Sequence, residues 1–361
     1  ARMMVRHELT RLLHGARRLT TRAPGSANLN WTELGFQARQ VNGYLSYTWK
    51  DGSWSEGELI KDGNVTIHAL SNALNYGQAV FEGLKAYHCA DGTVCAFNPQ
   101  ANHARLATGC SRLFMPEPPK ELFLQAIERT IRENIEFVPP YGTGGALYLR
   151  PLLFGHGAQL GLGPAPEYQL VLACNPVGAY YKGGLEGVDA IVVTDFDRAA
   201  PRGVGNVKAA GNYAPDVLPS KNAKEKGYSV CLYLDAATHT YVEEFSTSNF
   251  IGVTKDGTIV APSSPSILKS TTKGVVLQMA RELGMKVEER PVPWTEVRDL
   301  AEVAACGTAV VLTPMKSITA TNEVVTFAGH DTIAKLYDHV TKLQKGELPD
   351  PNGYRHVVPL S

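Results

Sequence analysis

The sequence lacks an excess of either charge. Its 35 lysines and arginines balance 35 aspartates and glutamates over 361 residues, so no global field steers the protein to nucleic acid or to a charged membrane surface. A membrane-spanning run is also absent, because Gly, Pro or a charged residue interrupts the apolar stretches. The 44% hydrophobic and 19% charged fractions are typical of an ordinary globular protein, and the length suffices for two packed lobes. We therefore expect neither nucleic acid nor a membrane as a partner.

Cysteines are few and lie apart in the sequence. The six are Cys89, Cys95, Cys110, Cys174, Cys231 and Cys306. No two of them have the close spacing of a zinc site or of a dithiol redox motif. We therefore expect buried thiols in a reducing compartment and no bound metal.

Internal repeats, low-complexity tracts and a nucleotide-binding fingerprint are absent too. Such a fingerprint needs spaced glycines that open a helix after a strand. The glycines of YKGGLEG have neither that spacing nor that context. Their pattern argues against an oxidoreductase on a nucleotide-binding fold.

The first 27 residues contain few acidic side chains. Six arginines stand beside a single acidic residue, Glu8, and apolar residues recur at helical spacing until Pro24 and Gly25 end the pattern. An Arg-rich amphipathic helix with few acids is typical of a mitochondrial presequence. We therefore predict an N-terminal extension over 1–27 and a mitochondrial location. The alternative is an ordinary helix packed on the body of a cytoplasmic protein.

Strand and helix patterns mix along the rest of the chain without strict alternation. The DG pairs of GYLSYTWKDGSW and LIKDGNVTIHAL predict two hairpins, KELFLQAIERTIRENIEFV has helical spacing, and GALYLRPLLFG and YQLVLACNPVG suit buried strands. This mixture favours two α+β lobes over a doubly wound sheet. We place an N-terminal lobe at 28–175, a Gly- and Tyr-rich interdomain loop at 176–187 and a C-terminal lobe at 188–361.

The segment GNVKAAGNY places one lysine, Lys208, among small residues. Its glycine and alanine neighbours leave room for a flat ring against the backbone, and an accessible neutral amine can attack a carbonyl carbon. The phenol of Tyr213, five residues further on, could hydrogen-bond a hydroxyl of that ring. Judged alone, the same pattern also fits a surface lysine.

The segment YVEEFSTSNFIGV has the pattern of a strand with Glu243 and Glu244 side by side. Neighbours in a strand point to opposite faces, so only one of the two can enter a buried pocket. A buried carboxylate needs a cationic partner, and a protonated pyridine nitrogen is one. Thr247 follows as a polar group on the same segment. The competing interpretation is a solvated acidic pair at a strand edge.

Two further segments could bind phosphate. In ILKSTTKGVV, the start of an apolar-periodic helix carries Ser270, Thr271 and Thr272, and free N–H groups at such a position bind anions. Simple N-capping also explains the hydroxyls. Arg105, in QANHARLATGCSR, could bind phosphate through two nitrogens, although most helical arginines do not. An amine, an acid and a phosphate site together are what pyridoxal phosphate (PLP) requires.

With these motifs the chain resembles the fold-type IV (class IV) PLP-dependent aminotransferases, and within them the branched-chain amino acid aminotransferases. The resemblance runs from about residue 28 to the C-terminus. Its motifs occur in the family's order: LNYGQAVFEGLKAY, FNPQANHARL, LYLRPLLFG, RAAPRGVGNVKAAGNY, EEFSTSNF and CGTAVV. The resemblance implies an α+β fold of the D-amino acid aminotransferase type, with a smaller N-terminal α/β lobe and a larger C-terminal pseudo-barrel lobe that binds PLP.

The resemblance also implies roles for individual residues. Lys208 would form the Schiff base with PLP and move the substrate proton, and Arg150 would bind the γ-carboxylate of glutamate. The implied cofactor-binding residues are Arg105, Lys208, Tyr213, Glu244, Thr247, Thr271, Thr272 and Thr308. The implied substrate-binding residues are Tyr76, Phe81, Tyr148, Arg150, Tyr180, Thr308 and Ala309.

Some positions depart from the family pattern. Lys269 and Ser270 replace a frequent Pro-Gly before the phosphate-binding helix, which leaves the donors at Thr271 and Thr272 open. Ile251 stands where an aromatic residue is usual. Val310 and Thr313 occupy the places of a thiol pair that some vertebrate members carry, so a redox switch of that type is not expected.

The function that the resemblance implies is amino transfer between leucine, isoleucine or valine and 2-oxoglutarate, in a homodimer whose subunits share pocket residues. A transaminase of a secondary-metabolite pathway would carry the same motifs. A D-amino acid or (R)-amine transaminase, or an aminodeoxychorismate lyase, would share Lys208 and Glu244, but LYLRPL and CGTA argue against these relatives. The intact Lys208, Tyr213 and Glu244 argue against a PLP-binding protein without activity.

Overall fold

The computed structural model describes residues 22–178 and 185–360. The first of two sheets has nine strands. These are β1 (Tyr44–Lys50), β2 (Ser53–Trp54), β3 (Glu58–Ile60), β4 (Ala79–Phe81), β5 (Leu84–His88), β6 (Val94–Phe97), β7 (Ala146–His156), β8 (Glu167–Val177) and β18 (Arg355–Val357). Their order is β18-β6-β5-β7-β8-β1-β2, with β3 paired to β1 and β4 paired to β7.

The second sheet closes into a barrel. Its strands are β9 (Val188–Val192), β10 (Val230–Leu234), β11 (Val242–Phe245), β12 (Ser248–Thr254), β13 (Ile259–Pro262), β14 (Val287–Arg290), β15 (Leu300–Gly307), β16 (Val311–Ala320) and β17 (Glu323–Thr326). The order is β11-β10-β9-β16-β15-β12-β13-β14, and β11 also pairs with β12. That pairing joins six strands into a ring, which leaves no free edge between them.

Six α-helices cover the sheets in the described part of the chain. They are α1 (Asn72–Tyr76), α2 (Pro99–Arg112), α3 (Lys120–Glu133), α4 (Val217–Glu225), α5 (Thr271–Glu282) and α6 (Asp331–Gln344). Helix α3 turns Phe123 and Ile127 into a core shared with β7, whereas α5 and α6 pack Val276 and Leu336 into the core beside the barrel. The fold is therefore α+β with a barrel in its C-terminal half, as predicted. No helix in 22–178 or 185–360 has the length and apolarity to cross a membrane.

Three predictions lie wholly or mostly outside the described residues. Positions 1–21 carry most of the predicted presequence, and positions 179–184 carry the middle of the predicted interdomain loop together with Tyr180. The predicted lobe limits therefore stay predictions.

The final strand, β18, pairs with β6 of the first sheet, so the C-terminus returns to the N-terminal half.

Of the two hairpins predicted at the DG pairs, one forms and one does not. The first forms the predicted hairpin: Asp51 and Gly52 both have positive φ, and Lys50 pairs with Ser53 across a two-residue loop. The second prediction is wrong, because β3 pairs with β1 and residues 64–68 form no strand. There the Asp62 carboxylate accepts the backbone N–H of Asn64 at 2.9 Å. Such local bonding satisfies a loop without a strand partner.

Candidate active site

A cavity of about 380 Å³ lies between the first sheet and one end of the barrel. This volume is within the range of small-molecule sites. Ten of the residues predicted for the site line it: Phe81, Arg105, Tyr148, Arg150, Lys208, Tyr213, Glu244, Thr247, Thr308 and Ala309. A more open cavity of about 630 Å³ shares Tyr148, Arg150 and Ala309 with it and leads outward.

Lys208 projects its amine into this cavity. Its Nζ donates to the Tyr213 phenol at 3.0 Å and lies 4.7 Å from the centre of the Phe81 ring. The backbone of the lysine segment is docked on β4, because the Phe81 N–H donates to the Lys208 carbonyl at 3.1 Å and Val80 pairs with Ala209. Burial, and then the charge of Arg105, lower the pKa of Lys208 to about 8. The structure thus places Lys208 in a cavity wall, not on open surface.

Glu244 lies on β11 at the other side of the cavity. Its Oε1 is 2.6 Å from Nη2 of Arg198 and accepts the backbone N–H of Leu268 at 2.9 Å. Burial raises the pKa of Glu244 to about 7, and Arg198 opposes that rise. A second cation in the cavity would stabilise the ionised carboxylate further.

Glu243 points to the opposite face of β11. It accepts hydrogen bonds from the hydroxyl of Ser264 at 2.8 Å and from that of Ser266. Both glutamates are buried, so the interpretation as a solvated acidic pair is wrong. The alternation of side chains in a strand decides which of them meets the cavity.

Arg105 lies on α2 and is held by a buried carboxylate that the sequence analysis did not single out. Its Nε and Nη2 donate to the two oxygens of Glu82 at 2.8 and 2.7 Å, and its Nη1 donates to the Lys269 carbonyl at 3.1 Å. A bidentate pair of this kind fixes the plane of the guanidinium group. Arg105 is thereby held beside the start of α5.

The start of α5 combines an N-cap with free donors. The hydroxyl of Ser270 accepts the backbone N–H of Lys273 at 3.0 Å, so the capping interpretation applies to Ser270. Ser270 also lines the 380 Å³ cavity, whereas Thr271 and Thr272 line a narrow cleft behind it together with Thr308. The hydroxyls of Thr272 and Thr308 are 3.4 Å apart. Helix donors and hydroxyls therefore gather beside Arg105.

The turn between β15 and β16 carries Thr308 and Ala309. Nζ of Lys85, on β5, donates to the Ala309 carbonyl at 2.8 Å, and burial lowers the pKa of Lys85 to about 8. Val311, which ends the turn, has a φ of +63°; such a conformation is rare for a β-branched residue and marks local strain. Lys85 thus holds a turn whose backbone is strained at Val311.

Arg150 packs against two aromatic rings of the cavity wall. The guanidinium carbon of Arg150 lies 5.0 Å from the Phe81 ring centre and 5.4 Å from that of Tyr148, and its Nη2 donates to the Tyr148 hydroxyl at 3.2 Å. A Cβ at Gly83 would come within 2.1 Å of the same hydroxyl, so only glycine admits Tyr148 here. Phe81 and Tyr148 supply apolar surface, and Arg150 supplies the positive charge.

Tyr76 does not join the other predicted residues. It lies on α1, is 45% exposed, and its hydroxyl donates to the carbonyl of Leu160. Leu74, Leu160 and Leu162 are also exposed around it, at 61%, 73% and 87%. Tyr76 does not line the 380 Å³ cavity of its own chain, and its predicted contact with the substrate stays a prediction. It belongs to an exposed apolar surface formed by α1 and the 160–162 loop.

Three contacts that organise the site were missed from the sequence. Glu82 holds Arg105, Arg198 holds Glu244, and Lys85 holds the Ala309 carbonyl. Each lies inside a motif already recognised: VFEGLKAY contains two of them, and RAAPRGVGNVK begins with the third. The available signal was a charged residue within an apolar or small-residue stretch, since such a charge needs a partner once buried.

Comparison with known proteins defines the class to which this fold and site belong. A model of the family "Amino-transferase class IV" matches residues 79–318. The chain belongs to the class IV aminotransferases, and it is an enzyme of that type.

Individual relatives agree with this class. The chain is 44% identical to the branched-chain-amino-acid aminotransferase of Helicobacter pylori, over 92% of this chain and 98% of the relative. It is 39% identical to Transaminase AMT5 of Alternaria alternata, over 92% and 93%. A solved structure of the T.th. branched-chain amino acid aminotransferase complexed with N-(5'-phosphopyridoxyl)-L-glutamate has a TM-score of 0.72 at 25% identity, and covers 89% of this chain and 100% of that chain.

Proposed function

We propose that this enzyme transfers amino groups between branched-chain L-amino acids and 2-oxoglutarate, with PLP attached covalently to Lys208. The observation that carries the proposal is the convergence of Lys208, Tyr213, Glu244 and Arg105 on one cavity of about 380 Å³. The similarity to the Helicobacter pylori enzyme supports the substrate class. The complex of the T.th. enzyme with a phosphopyridoxyl-glutamate supports the coenzyme.

The donor set in the cavity fits PLP. A neutral amine, a carboxylate and an anion-binding corner are the three groups that a pyridine aldehyde phosphate needs, and Lys208, Glu244 and Arg105 with the start of α5 supply them. When bound, PLP supplies an electron sink for the charge that develops at the substrate Cα. Tyr213 would bond the ring hydroxyl, and the 3.0 Å contact between its phenol and Nζ of Lys208 supports this role.

Lys208 is also placed to move the substrate proton. An amine with a pKa of about 8 changes protonation state close to neutral pH, as a general acid–base catalyst must. The contacts to Tyr213 and to the Phe81 ring keep the amine on one side of the cavity. With the coenzyme bound, Lys208 would accept and donate the substrate Cα proton from a fixed position.

Glu244 would keep the pyridine nitrogen of a bound coenzyme protonated. Arg198 and the Leu268 N–H favour its ionised form, while burial opposes it. A pyridinium partner would tip that balance toward the carboxylate. At the other end of the coenzyme, Arg105 and the first turn of α5 would bind the phosphate, with Thr308 close by.

The substrate groups have separate partners. The Thr308–Ala309 turn, held by Lys85, would receive the α-carboxylate. Phe81 and Tyr148 would pack on an aliphatic side chain, and Arg150 would bind a γ-carboxylate in its place. One cavity could thus accept both partners of the exchange.

Arg150→Ala is expected to impair the glutamate half-reaction selectively. Loss of a charge-assisted hydrogen bond costs about 1.5–3 kcal/mol, or about 10- to 150-fold in kcat/KM for glutamate, whereas leucine should change by less than about threefold. Single-turnover kinetics with each amino acid measure the two effects. Arg39→Ala is the matched control, because Arg39 lines only the outer of the two cavities. Equal losses for glutamate and leucine would contradict the role of Arg150.

The pH at which PLP attaches to the coenzyme-free enzyme should report the pKa of Lys208. Only the neutral amine attacks an aldehyde. The attachment rate should therefore rise through pH 8 and level off above about pH 9, whereas an ordinary lysine would titrate near 10.4. Borohydride trapping at timed intervals measures the rate, and free Nα-acetyl-lysine run in parallel corrects for titration of the coenzyme. A midpoint near pH 10 would show that the cavity does not depress the pKa.

The proposal includes a homodimer in which Tyr76 reaches the cavity of the partner subunit. Two observations support it: Tyr76 lies outside the cavity of its own chain, and it stands on an exposed apolar surface with Leu74 and Leu160. Exposed apolar patches of this kind mark protein–protein contacts. A two-fold dimer would bury the same patch on both subunits.

Mixing two impaired variants tests this arrangement. Tyr76→Ala should lower kcat/KM for leucine about tenfold through lost apolar contact, and Lys208→Ala should be inactive. After subunit exchange in an equal mixture, half of the dimers are hybrids with one intact site, so about a quarter of wild-type activity should return. A mixture that never exceeds the sum of its two components would show that Tyr76 acts in its own chain or not at all.

Half-reactions with single substrates test the function as a whole. Leucine, isoleucine, valine and glutamate should each convert the coenzyme to its amine form, whereas a D-amino acid and an (R)-amine should not. A second candidate, a transaminase for another substrate, is favoured by the similarity to Transaminase AMT5, whose name specifies no substrate. Rapid reaction with glutamate but with none of the three aliphatic amino acids would favour that candidate and overturn the first.

A further inference from the structure

The structure brings together two cysteines that the sequence analysis treated as unrelated. Cys89 follows β5 and Cys95 lies in β6, and their Sγ atoms are 3.1 Å apart. Tyr87 pairs with Cys95 across these antiparallel strands, so Cys89, two residues beyond Tyr87, lies on the same face as Cys95. The two thiols therefore meet on one side of the hairpin.

Both thiols are buried next to the end of α6. Cys89 is 1% exposed and Cys95 is 0% exposed, and both approach the backbone carbonyl of Gln344, at 4.0 and 3.7 Å. The exposed turn at positions 90–92 directly follows Cys89. For a small solute to reach the Cys89 sulfur, this turn would have to open locally.

The pair differs chemically from the other cysteines. The hydrogen bond from the Cys95 thiol lowers the pKa of Cys89 to about 7, while the same contact raises the pKa of Cys95. Burial raises the pKa of each remaining cysteine, to between about 11 and about 12. These four are Cys110, Cys174, Cys231 and Cys306. Because the thiolate is the nucleophile, and because Cys89 directly precedes the exposed turn at positions 90–92, Cys89 is the member of the pair suited to attack first.

We propose that Cys89 and Cys95 form an oxidation site that a hydroperoxide such as hydrogen peroxide converts to an intrachain disulfide. The Cys89 thiolate attacks one peroxide oxygen and breaks the O–O bond, and the departing hydroxide takes a proton to become water. The Cys95 sulfur then attacks the sulfenic acid of Cys89, and the S–S bond forms as a second hydroxide leaves with the Cys95 proton. Two thiols lose two electrons, and one peroxide becomes two waters.

The consequence is local to the contact between the hairpin and α6. In the dithiol form the Gln344 carbonyl lies within reach of both thiols, and the side chain of Gln344 accepts the Tyr87 hydroxyl at 3.0 Å. The disulfide has no S–H donor, so neither sulfur can then donate to the Gln344 carbonyl at the end of α6. Gln344 also lines the cleft that contains Thr271, Thr272 and Thr308. Oxidation therefore alters packing one layer behind the proposed phosphate site.

Peptide mapping of the peroxide-treated holoenzyme tests the site. After brief exposure, free thiols are alkylated in denaturant and the protein is digested with trypsin, which leaves both cysteines on the peptide 86–105. We expect this peptide to become unalkylatable and two hydrogens lighter at a rate at least about tenfold above that of loss at the other four thiols. Comparable oxidation rates at all six cysteines, or an intact dithiol while other thiols oxidise, would overturn the proposal.

Two serine variants test the order of events. In Cys95→Ser, a dimedone probe should label residue 89, because the sulfenic acid has no partner thiol. In Cys89→Ser, Cys95 should remain alkylatable under the same treatment. Rapid peroxide oxidation of Cys95 in the absence of Cys89 would contradict the assignment of Cys89 as the attacking sulfur. The mapping of the unsubstituted chain stands independently of how well either variant folds.

Discussion

Replacing Lys208 by alanine is expected to abolish covalent attachment of PLP and to lower kcat/KM by about 10⁴-fold or more. In the proposed function Lys208 both bonds the coenzyme and moves the substrate proton, so the substitution would remove two roles, and positioned proton transfer alone contributes about 10²- to 10⁴-fold. Tyr213 cannot replace it, because burial raises the pKa of its phenol to about 12. The absorbance band near the visible edge, and turnover with leucine, measure the two losses.

A surface lysine provides the matched control for this substitution. Lys221 is 70% exposed and pairs only loosely with Glu225, at 3.6 Å, so Lys221→Ala should keep both the absorbance band and full turnover. A Lys208→Ala protein that retained the band would place the covalent bond on another amine. A variant that lost the band but kept its activity would contradict the second role, in proton transfer.

The second large effect is expected for Glu244→Gln, which should retain PLP but lose about 10²-fold or more in kcat. The amide is close to the carboxylate in size, so it can stay beside Arg198 and Leu268, but it cannot hold a proton on the pyridine nitrogen as a carboxylate does. Turnover divided by bound coenzyme separates this loss from weak binding. Turnover near the wild-type value would show that Glu244 does not pair with the ring.

The neighbouring glutamate offers a close control for this experiment. Glu243 is as buried as Glu244 and lies on the same strand, but it points away from the cavity to Ser264 and Ser266. Glu243→Gln should therefore leave turnover per bound coenzyme within about threefold of wild type, even if stability falls by about 1–3 kcal/mol. A large loss of turnover in both variants would indicate a general disturbance of β11 and not a specific role of Glu244.

Much of the fold was predictable because buried strands select apolar, β-branched and aromatic residues. GALYLRPLLFG and YQLVLACNPVG became β7 and β8, which pair from Ala146 to His156. The closure of the barrel was not predictable from local pattern, since it depends on contacts such as that of β9 with β16, whose residues are far apart in the sequence. The hairpin predicted at the second DG pair does not form, because the Asp62 carboxylate accepts the backbone N–H of Asn64 and the turn needs no strand partner.

The candidate site was predictable at the residues with a specific chemical task. The amine of Lys208 and the carboxylate of Glu244 are group types that the chemistry demands, and strand alternation separates Glu244 from Glu243. The charged partners of the site residues were not predicted, because an ion pair forms between two segments whose contact the sequence does not show. Glu82 and Arg105 are 23 residues apart on a strand connection and a helix, and neither position alone reveals the other.

The surroundings of Tyr76 and the contact between Cys89 and Cys95 were not predictable from the sequence either. Tyr76 lies in the motif LNYGQAVFEGLKAY, but whether its side chain reaches a cavity depends on what covers the exposed surface of α1. Cys89 and Cys95 lack the spacing of a dithiol motif, and only the register of β5 against β6 brings their sulfurs to 3.1 Å. In both cases the tertiary structure determines which groups meet, and the local sequence pattern does not show this.

The most direct test of the account is to reduce the purified holoenzyme with borohydride and map the labelled peptide. Borohydride converts a carbon–nitrogen double bond between lysine and coenzyme into a stable single bond, so the label marks the attachment residue. We expect one phosphopyridoxyl group per chain, on Lys208. A label on Lys85 or on any other lysine, or no label at all, would contradict it.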